Sequence, residues 1–431
     1  MDNWTDRIDR HIWDSLRGTV TTLRLDDRRQ DQEFSCSLGV QMPVDEPSHH
    51  AADYHNLRLA ELEQTVRAKL NGILEGSGPL KPILAQLLST RGKFFRPRLV
   101  ISSSYACLPY VLDKRRCPTC SRLYGQLRKG PGSEQWGRGA KAPGPASTML
   151  PSHADFDDKM LDMITDIAAA FEMVHMASLV HDDIIDGSAH RRGKPALHLT
   201  WGTHSAVLAG DYLFAQANST VVKHAGLGIA ACLSDAVGLM CRGEVAQDSR
   251  FYDPDVTVGD YFYQTGRKTA ALIAAACKAG AMAAKAPLLA QECLWRFGIK
   301  LGTAFQIIDD ILDIVADGEA LGKPVFSDLR RGILTLPLIY AMGTESRRDI
   351  LECLSHKAVP DHRIPQLRSK LVSGGHVRQA GEVACKLLQS ARLELSLLPD
   401  CPGTASLKSM CDGLVQRARD VSLAEGITMG K

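Results

Sequence analysis

The chain has 431 residues, and its 51 lysines and arginines nearly balance its 49 aspartates and glutamates, leaving a net charge of +2. This length allows a large core in one or two domains, and the balanced charge gives no case for binding nucleic acid or a membrane surface. The twelve cysteines have no secretory signal before them, and no apolar run reaches the roughly twenty residues of a transmembrane segment, so we expect a cytoplasmic protein with reduced thiols.

The N-terminal part of the chain divides into two stretches of different character. Residues 1–50 are polar and lack helical periodicity, which predicts an N-terminal extension before a main domain over 51–431. From residue 54 to residue 107 the pattern becomes helical. Leu62, Val66, Leu70 and Ile73 recur at spacings of three or four, as on the buried face of a helix.

Residues 108–157 interrupt the helical pattern. This segment is rich in glycine and proline, and between positions 113 and 141 it carries eight lysines or arginines against two acids. Such a composition buries little apolar surface, so we predict a disordered surface insertion. The alternative is a loop that binds an anion or a partner.

From about residue 158 onward the sequence is helical in character. Alanine-rich runs such as "TAALIAAACKAGAMAAKAPLLA" favour helices, and their small side chains allow neighbouring helices to approach closely. Alternating strand patterns are scarce. The sequence therefore predicts an all-α fold, a large helical bundle interrupted by the insertion.

Two acidic clusters share one spacing. In "LVHDDIID" (179–186) and "FQIIDDILD" (305–313) the aspartates stand at i, i+1 and i+4, so the first and last of each cluster share one helix face. Carboxylates held this close repel each other, and hard Mg²⁺ is the cation that suits them, its remaining positions filled by water and substrate phosphates. The alternative, an acidic helix end in solvent, explains one cluster more easily than two.

Basic residues that could bind phosphate accompany these clusters. An arginine can grip a phosphate with two parallel N–H donors, whereas a lysine acts as a point charge. Each base taken alone is more often an ordinary solvated residue, but as a set they predict a diphosphate pocket. The set comprises Lys93 and Arg96 in "RGKFFRPR", Arg191 and Arg192 after the first cluster, Lys268 beside Thr269 in "GRKTA", and Lys323 in "LGKPVFSDLRRG".

In these motifs the chain resembles the trans-polyprenyl diphosphate synthases of the type I isoprenoid synthase family. The matching stretches are "GKFFRP", "HMASLVHDDIIDGSAHRRGKP", "AVLAGDYLFA", "GRKTA", "FQIIDDILD" and "LGKPVFSDLRRGILTLPLIYA", and they occur in the family's order. The resemblance implies a helical bundle with a central cavity. It is strongest to the catalytic subunits of heptaprenyl and other long-chain polyprenyl diphosphate synthases.

The resemblance also implies roles for individual residues. The catalytic set would be Asp182, Asp183, Asp186, Arg191, Lys268, Asp309 and Asp310, with Asp182, Asp186, Asp309 and Asp313 as Mg²⁺ ligands. Arg191, Lys268 and Lys323 would contact the allylic diphosphate, whereas Lys93, Arg96, His175 and Arg192 would bind isopentenyl diphosphate; Thr269 and Gln306 would line the reaction chamber. One departure is visible, because the family often has Gly-Gly-Lys-Arg where this chain has Arg91-Gly92-Lys93-Phe94.

Product length should depend on the helix that ends in the first cluster. Residues one to three turns before Asp182 would line the tunnel for the growing chain, namely Ser178, Ala177, Val174 and Phe171. Ala177 and Ser178 are small, which favours a product longer than farnesyl. The resemblance implies a heptaprenyl to decaprenyl product of the kind used in quinone side chains. A farnesyl or geranylgeranyl diphosphate synthase is the alternative.

Two other functions are alternatives to that of a chain-elongating synthase. Terpene cyclases share an aspartate-rich motif, but their second metal motif is usually of the Asn/Ser/Glu type, whereas this chain repeats "DDILD". A non-catalytic subunit of a heteromeric synthase would lack one cluster, and both are present. The resemblance implies farnesyl or geranylgeranyl diphosphate as the allylic substrate, and either a homodimer or a complex with a small second subunit.

Overall fold

A computed structural model describes residues 49–89, 92, 94–112, 156–191, 193–316, 325–357 and 359–423. Within these ranges the chain is almost entirely α-helical, and its sheet structure is one short antiparallel hairpin in which Arg191 pairs with Lys194. The predicted all-α fold is confirmed. The bundle arises because long helices with apolar faces can bury them only against one another.

The helices are numbered in chain order, and the hairpin follows the fifth of them. The bounds are α1 (His49–Glu75), α2 (Lys81–Leu88), α3 (Phe95–Ala106), α4 (Leu108–Leu112), α5 (Asp158–Ile185), β1 (His190–Arg191), β2 (Lys194–Pro195), α6 (Leu197–Trp201), α7 (Thr203–His224), α8 (Leu227–Asp248), α9 (Val258–Thr265), a π-helical turn (Gly266–Ala270), α10 (Ala271–Ala283), α11 (Leu288–Val315), α12 (Ser327–Arg330), α13 (Leu336–Ala341), α14 (Arg347–His356), α15 (Ile364–Ser373), α16 (His376–Leu395) and α17 (Pro402–Leu423). Short 3₁₀ turns span Gly78–Leu80 and Asp361–Arg363.

Helices α5 and α11 form the centre of the bundle. Helix α5 packs along α7 and against α3 and α1, and α11 packs between α10 and α16. Each is 28 residues long, and α11 is buried on nearly all sides. A helix that is apolar around its circumference is stable only inside a protein, and both aspartate clusters lie near the C-terminal ends of these two helices.

The apolar length of α5 corrects one expectation. By length and composition alone this helix could cross a membrane, although no run of that kind was expected from the sequence. Most of its apolar stretch is buried inside the protein. Its apolar residues therefore serve the core, where they pack against α3 and α7.

Small residues bring α10 and α11 into close contact, as the alanine-rich runs predicted. A Cβ atom added at Gly298 would lie 2.4 Å from the Cα atom of Ala274, and one at Gly302 would lie 2.7 Å from the Cα atom of Ala270. No side chain fits between backbones at these distances. The π-helical turn that precedes α10 is thereby held against the middle of α11.

The edges of the predicted insertion differ from the structure. Residues Leu108–Leu112 are helical, because this short run is apolar and Leu108 is buried in the core. At the other edge Phe156 is buried with its ring 5.2 Å from that of Tyr105, and the Asp157 carboxylate caps α5 by accepting a hydrogen bond from the amide of Met160. Residues 113–155 lie outside the described residues, as do residues 1–48 of the predicted extension.

Candidate active site

The first aspartate cluster lies where α5 ends. Asp182 and Asp186 are partly exposed, whereas the Asp183 side chain is only 7% exposed and points into the protein. Asp186 is the first residue after the helix, and its amide still donates to the carbonyl of Asp182. The predicted shared face of Asp182 and Asp186 is therefore present, and it opens at the rim of the core.

Burial raises the pKa of both partly exposed carboxyls. The pKa of Asp182 rises from 3.8 to about 6, mainly because the group is buried; Lys268 lowers it, and Glu244 and Asp186 raise it. The pKa of Asp186 is also raised by burial, and the nearby Arg331 is the main opposing influence. Negative charge on these carboxylates is therefore unfavourable unless a cation is bound. Carboxylates that share a bound cation are expected in such an environment.

Arg191 is held in place by the inward-pointing aspartate of the same cluster. Its Nε atom donates to both Asp183 carboxylate oxygens, at 2.9 and 3.1 Å, and Nη2 also contacts Oδ1. The bidentate pair fixes the guanidinium of the hairpin relative to α5. Asp183, predicted as catalytic, occupies a position that orients Arg191.

The hairpin also rests on the end of α2. Gln86 Nε2 donates to the carbonyl of Pro195 at 3.3 Å, and Trp201 Nε1 donates to Gln86 Oε1 at 2.8 Å. Lys194 Nζ donates to Ser89 Oγ at 2.8 Å. These bonds hold the end of α2 against the hairpin that carries Arg191 and Lys194.

Lys268 is fixed by α8. Its Nζ atom lies 2.7 Å from Glu244 Oε2 and donates to Gln247 Oε1 at 2.7 Å. The backbone of Lys268 can approach α8 because residue 243 is glycine: a Cβ atom there would lie 2.5 Å from the Lys268 amide nitrogen. The ammonium group is also one of the charges that lower the pKa of Asp182, so the two predicted residues are brought together.

The second cluster on α11 has one outward and two inward carboxylates. Asp309 is exposed, whereas Asp310 and Asp313 are buried. Asp310 accepts hydrogen bonds from the Tyr261 hydroxyl at 2.5 Å and from Gln306 Nε2 at 2.8 Å. Burial raises the pKa of Asp310 to about 7, and these two hydrogen bonds oppose the rise.

Thr269 connects the π-helical turn to this second cluster. Its hydroxyl donates to Gln306 Oε1 at 2.8 Å, and the amide of Gln306 in turn donates to Asp310. Lys268 and Thr269 are consecutive residues of this turn. The Lys268 side chain lies near the first cluster, and the Thr269 side chain contacts the second through Gln306. The structure thus brings Thr269 and Gln306, both predicted to line the reaction chamber, into direct contact.

Asp313, predicted as a metal ligand, is engaged elsewhere in the structure. One carboxylate oxygen accepts from the Ser327 amide and hydroxyl, at 3.2 and 2.6 Å, and the other accepts from the Asp328 amide at 3.1 Å. These are the free amides at the start of α12, which a carboxylate satisfies well. The geometry makes Asp313 an anchor for α12, a role that the spacing of the cluster could not reveal.

Helix α12 joins the two clusters. Arg331 directly follows it, and its Nη2 atom makes an ion pair with Asp186 Oδ1. A chain of contacts thus runs from Asp313 through α12 to Arg331 and on to the first cluster. Sequence reasoning missed Arg331, although the paired arginines of "SDLRRG" were a visible signal.

Three other residues around the clusters also escaped sequence analysis. Glu244 and Gln247 orient Lys268, and Tyr261 bonds to Asp310. The stretch "GEVAQD" places polar residues three apart on an apolar helix, which could have indicated Glu244 and Gln247. No local pattern marks Tyr261, because its contact with α11 depends on the fold.

A cavity of about 140 Å³ lies between α1, α2, α5 and the hairpin, and Asp183 of the first cluster is part of its wall. His175 lines it together with Arg67, Asn71, Gly92 and Phe94. The predicted ligand Arg96 is half-buried in the first turn of α3. Lys93, Arg192 and Lys323 lie outside the described residues.

The four residues predicted to set product length line up along α5. Phe171, Val174 and Ala177 are fully buried. Ser178 is partly buried, and its hydroxyl donates to the carbonyl of His175. Small side chains therefore occupy the helix turn directly before Asp182, and a phenylalanine lies deeper.

Comparison with known proteins decides the family. The family model for polyprenyl synthetase matches residues 135–371, more than half of the chain. The chain belongs to the polyprenyl synthetase family. Chloroplastic solanesyl diphosphate synthase 1 of Arabidopsis thaliana is 36% identical over 280 residues, which are 64% of this chain and 68% of that protein.

Other relatives agree. Heptaprenyl diphosphate synthase component 2 of Geobacillus stearothermophilus is 42% identical over 192 residues, 44% of this chain and 60% of that one. A polyprenyl synthase from Caulobacter crescentus was solved with calcium and isoprenyl diphosphate. It superposes on this chain with a TM-score of 0.66 at 27% identity, and the match covers 83% of this chain and 96% of that one. This member of the polyprenyl synthetase family is thus a prenyltransferase, a polyprenyl diphosphate synthase of the long-chain type.

The donor set of this synthase suits a hard divalent cation. Among the described residues no three acids, histidines or cysteines converge on one point. Mg²⁺, however, usually takes only one or two carboxylates and completes its shell with water and substrate phosphates. Asp186 Oδ1 is buried, and its partner among the described residues is the Nη2 atom of Arg331, so a cation bound at the rim would share this oxygen with that guanidinium.

Replacing Asp182 with asparagine should stabilise the metal-free protein at neutral pH. The pKa of Asp182 is about 6 in the folded chain against 3.8 for the free side chain, so the ionised carboxylate costs stability above pH 6. This cost declines as pH falls from 6 to 4 and is absent below 4. We expect Asp182→Asn to raise Tm by about 1–3 °C at pH 7.5 in EDTA, and not at pH 4.

Asp235→Asn is the matched control, because Asp235 is an exposed carboxylate on α8. Differential scanning fluorimetry of both variants across pH 4–8 makes the measurement. The same gain in both variants, or a gain in Asp182→Asn that does not depend on pH, would show that the first cluster is not under this electrostatic cost.

Proposed function

We propose that this synthase condenses isopentenyl diphosphate onto farnesyl or geranylgeranyl diphosphate and makes a heptaprenyl to decaprenyl product with Mg²⁺. The observation that carries the proposal is the joining of two aspartate clusters by Arg331 on one side and by the Lys268–Thr269 turn on the other. A divalent cation between them would relieve the negative charge that burial makes unfavourable, and it would bind the diphosphate with its remaining positions.

The outward carboxylates are the ones proposed as metal ligands. Asp182, Asp186 and Asp309 present partly or fully exposed side chains and would hold Mg²⁺, whereas Asp313 is kept as the anchor of α12. Bound Mg²⁺ would supply Lewis-acid stabilisation of the departing diphosphate. Asp183 and Asp310 are proposed as positioning residues, because each holds a neighbouring polar side chain.

Lys268 and Arg191 would bind the allylic diphosphate with donors that remain after their internal bonds. Arg191 contacts Asp183 through Nε and Nη2, which leaves the N–H groups of Nη1 for phosphate oxygens. Lys268 uses two of its three donors on Glu244 and Gln247. Both charges are thus fixed before substrate arrives, which is the condition under which electrostatic stabilisation is most effective. Lys323 is proposed for the same diphosphate.

The reaction follows from that arrangement of charge. The allylic C–O bond breaks with its electron pair leaving on the diphosphate, and the double bond of isopentenyl diphosphate attacks the resulting carbocation. The released diphosphate then takes the proton, which yields an allylic diphosphate one isoprene unit longer. His175, Arg96, Lys93 and Arg192 would hold isopentenyl diphosphate, and Thr269 with Gln306 would form the wall of the chamber.

The product chain would grow along α5. Ser178 and Ala177 leave room in the turn before Asp182, and Val174 and Phe171 lie one and two turns deeper. We propose Phe171 as a floor below the first turns of the tunnel. This placement favours products longer than farnesyl, because neither Ala177 nor Ser178 carries a ring.

The partners and the location of the enzyme are proposed on the resemblance, with support from its surface. Helices α7 and α8 expose several large apolar side chains, including Val207, Leu208, Leu227 and Val245. An apolar surface of this kind suits a homodimer or a small second subunit. We propose a cytoplasmic enzyme whose product becomes a quinone side chain.

A product assay tests the proposed function. Purified full-length protein with Mg²⁺, labelled isopentenyl diphosphate and farnesyl diphosphate should yield polyprenyl diphosphates between heptaprenyl and decaprenyl, separated by thin-layer chromatography after dephosphorylation. EDTA should abolish the product, because the ionising diphosphate loses its counter-charge. Geranylgeranyl diphosphate as the end product, or no transfer at all, would contradict the proposal.

Ala177→Phe should shorten the product. A ring in the turn before Asp182 would close the tunnel near the reacting carbon, so we expect the dominant chain to lose isoprene units in the same assay. Ser178→Phe provides a second variant, because Ser178 is partly exposed and tolerates bulk more easily than the fully buried Ala177. An unchanged product length in both variants would contradict the proposal that α5 forms the wall of the tunnel.

A further inference from the structure

Sequence reasoning also missed Arg67, a cation on α1. It is exposed, and within the described ranges no ion pair joins it to a carboxylate. The nearby Glu63 on the same helix is taken by Arg98. An arginine that is held but not paired is available to a ligand.

The guanidinium of Arg67 is held by stacking. Its Cζ atom lies 3.8 Å from the centroid of the Phe94 ring, and that ring is buried in the position directly before α3. Stacking occupies the face of the guanidinium and leaves the in-plane N–H donors free for an acceptor. The contact therefore orients Arg67 and does not consume its hydrogen bonds.

Arg67 and Phe94 line the same cavity as His175. Asn71, one turn further along α1, adds an amide to its wall, and the cavity also holds Arg191, already paired with Asp183. Of the other charged groups in its wall, Lys194 adds to the positive charge of Arg67, and Glu172 opposes it from α5. The net charge around the cavity is positive, as an anionic ligand requires.

The sequence supplies a reason for an arginine at this point. Phe94 stands where the family often has an arginine, so the segment 91–96 offers one guanidinium fewer than usual. The structure places another guanidinium, from α1, 3.8 Å from the ring of that phenylalanine. A guanidinium is thus supplied beside residue 94 by a residue 27 positions earlier in the chain.

We propose that Arg67 binds the diphosphate of isopentenyl diphosphate and that Phe94 orients it. The inference rests on the proposed function, because it assigns a residue to one of the two substrates of that reaction. A guanidinium can donate two parallel hydrogen bonds to phosphate oxygens, which fixes the orientation of the diphosphate as well as its position.

Substrate kinetics of Arg67→Ala test the inference. With farnesyl diphosphate saturating, the KM for isopentenyl diphosphate should rise about tenfold, the loss expected for one charge-assisted hydrogen-bonded contact. The KM for farnesyl diphosphate and kcat should stay within about twofold, since Arg67 is held by the Phe94 ring and not by either aspartate cluster. Arg58→Ala is the control, because Arg58 lies on the same helix and pairs with Glu61.

A second variant separates binding from a structural role. In the double variant Arg67→Ala/Phe94→Arg the guanidinium is moved to the neighbouring position, and the KM for isopentenyl diphosphate should recover most of the loss. If Arg67 merely covered the Phe94 ring, this variant would not recover. An unchanged KM for isopentenyl diphosphate in Arg67→Ala, or an equal rise for both substrates, overturns the inference.

A calorimetric binding experiment tests the role of Arg67 separately from the proposed function. Isopentenyl diphosphate is titrated into wild type and Arg67→Ala without an allylic substrate, so no turnover is needed. Binding that weakens about tenfold in the variant supports the role of Arg67 even if the full-length chain transfers no prenyl group. Equal binding to both proteins, or no binding to wild type, overturns it.

Discussion

Carboxylates gathered at the rim of an apolar core repel one another and lose hydration, and the architecture around them offsets that cost. Asp182 and Asp310 show it most clearly, since burial moves the pKa of each carboxyl to about 6 and about 7. Fixed hydrogen-bond donors and cations of the protein offset part of this cost. Lys268 and Arg331 lower the pKa of the first cluster from nearby, and Tyr261 with Gln306 supports the second. The negative charge that remains is suited to a divalent cation, which can bind a diphosphate with its remaining positions.

The helix packing makes this arrangement rigid. Gly298 and Gly302 bring α11 against α10, and Gly243 brings α8 against the π-helical turn, so that Lys268 and Thr269 are set between the two clusters. Because these contacts are between backbones, the site cannot spread without separating whole helices. Asp313 adds a second connection between the clusters. Its carboxylate accepts a hydrogen bond from the first turn of the short α12, and Arg331, directly after α12, makes an ion pair with Asp186. Preorganisation of this kind is what electrostatic catalysis depends on.

The sequence predicted those features that depend on local spacing. Helical periodicity indicated the bundle, the i and i+4 spacing placed Asp182 beside Asp186, and the small residues of α10 indicated close packing. The roles of Asp313 and Arg331 could not be predicted in this way, because their contacts join segments that local periodicity does not relate. The spacing placed Asp313 on the same helix face as Asp309, but it could not show that the amides of Ser327 and Asp328 would cover its oxygens. The stacking of Arg67 on Phe94 is likewise a tertiary contact.

The central claim is that the two clusters hold the allylic diphosphate through a shared divalent cation. Its most direct test is calorimetric titration of farnesyl thiolodiphosphate, an analogue that ionises poorly, into the full-length protein with and without Mg²⁺. The account predicts that Mg²⁺ tightens binding by at least about tenfold and that the double variant Asp182→Asn/Asp309→Asn loses this gain. Equal affinity with and without Mg²⁺, or a gain that survives in the double variant, would contradict it.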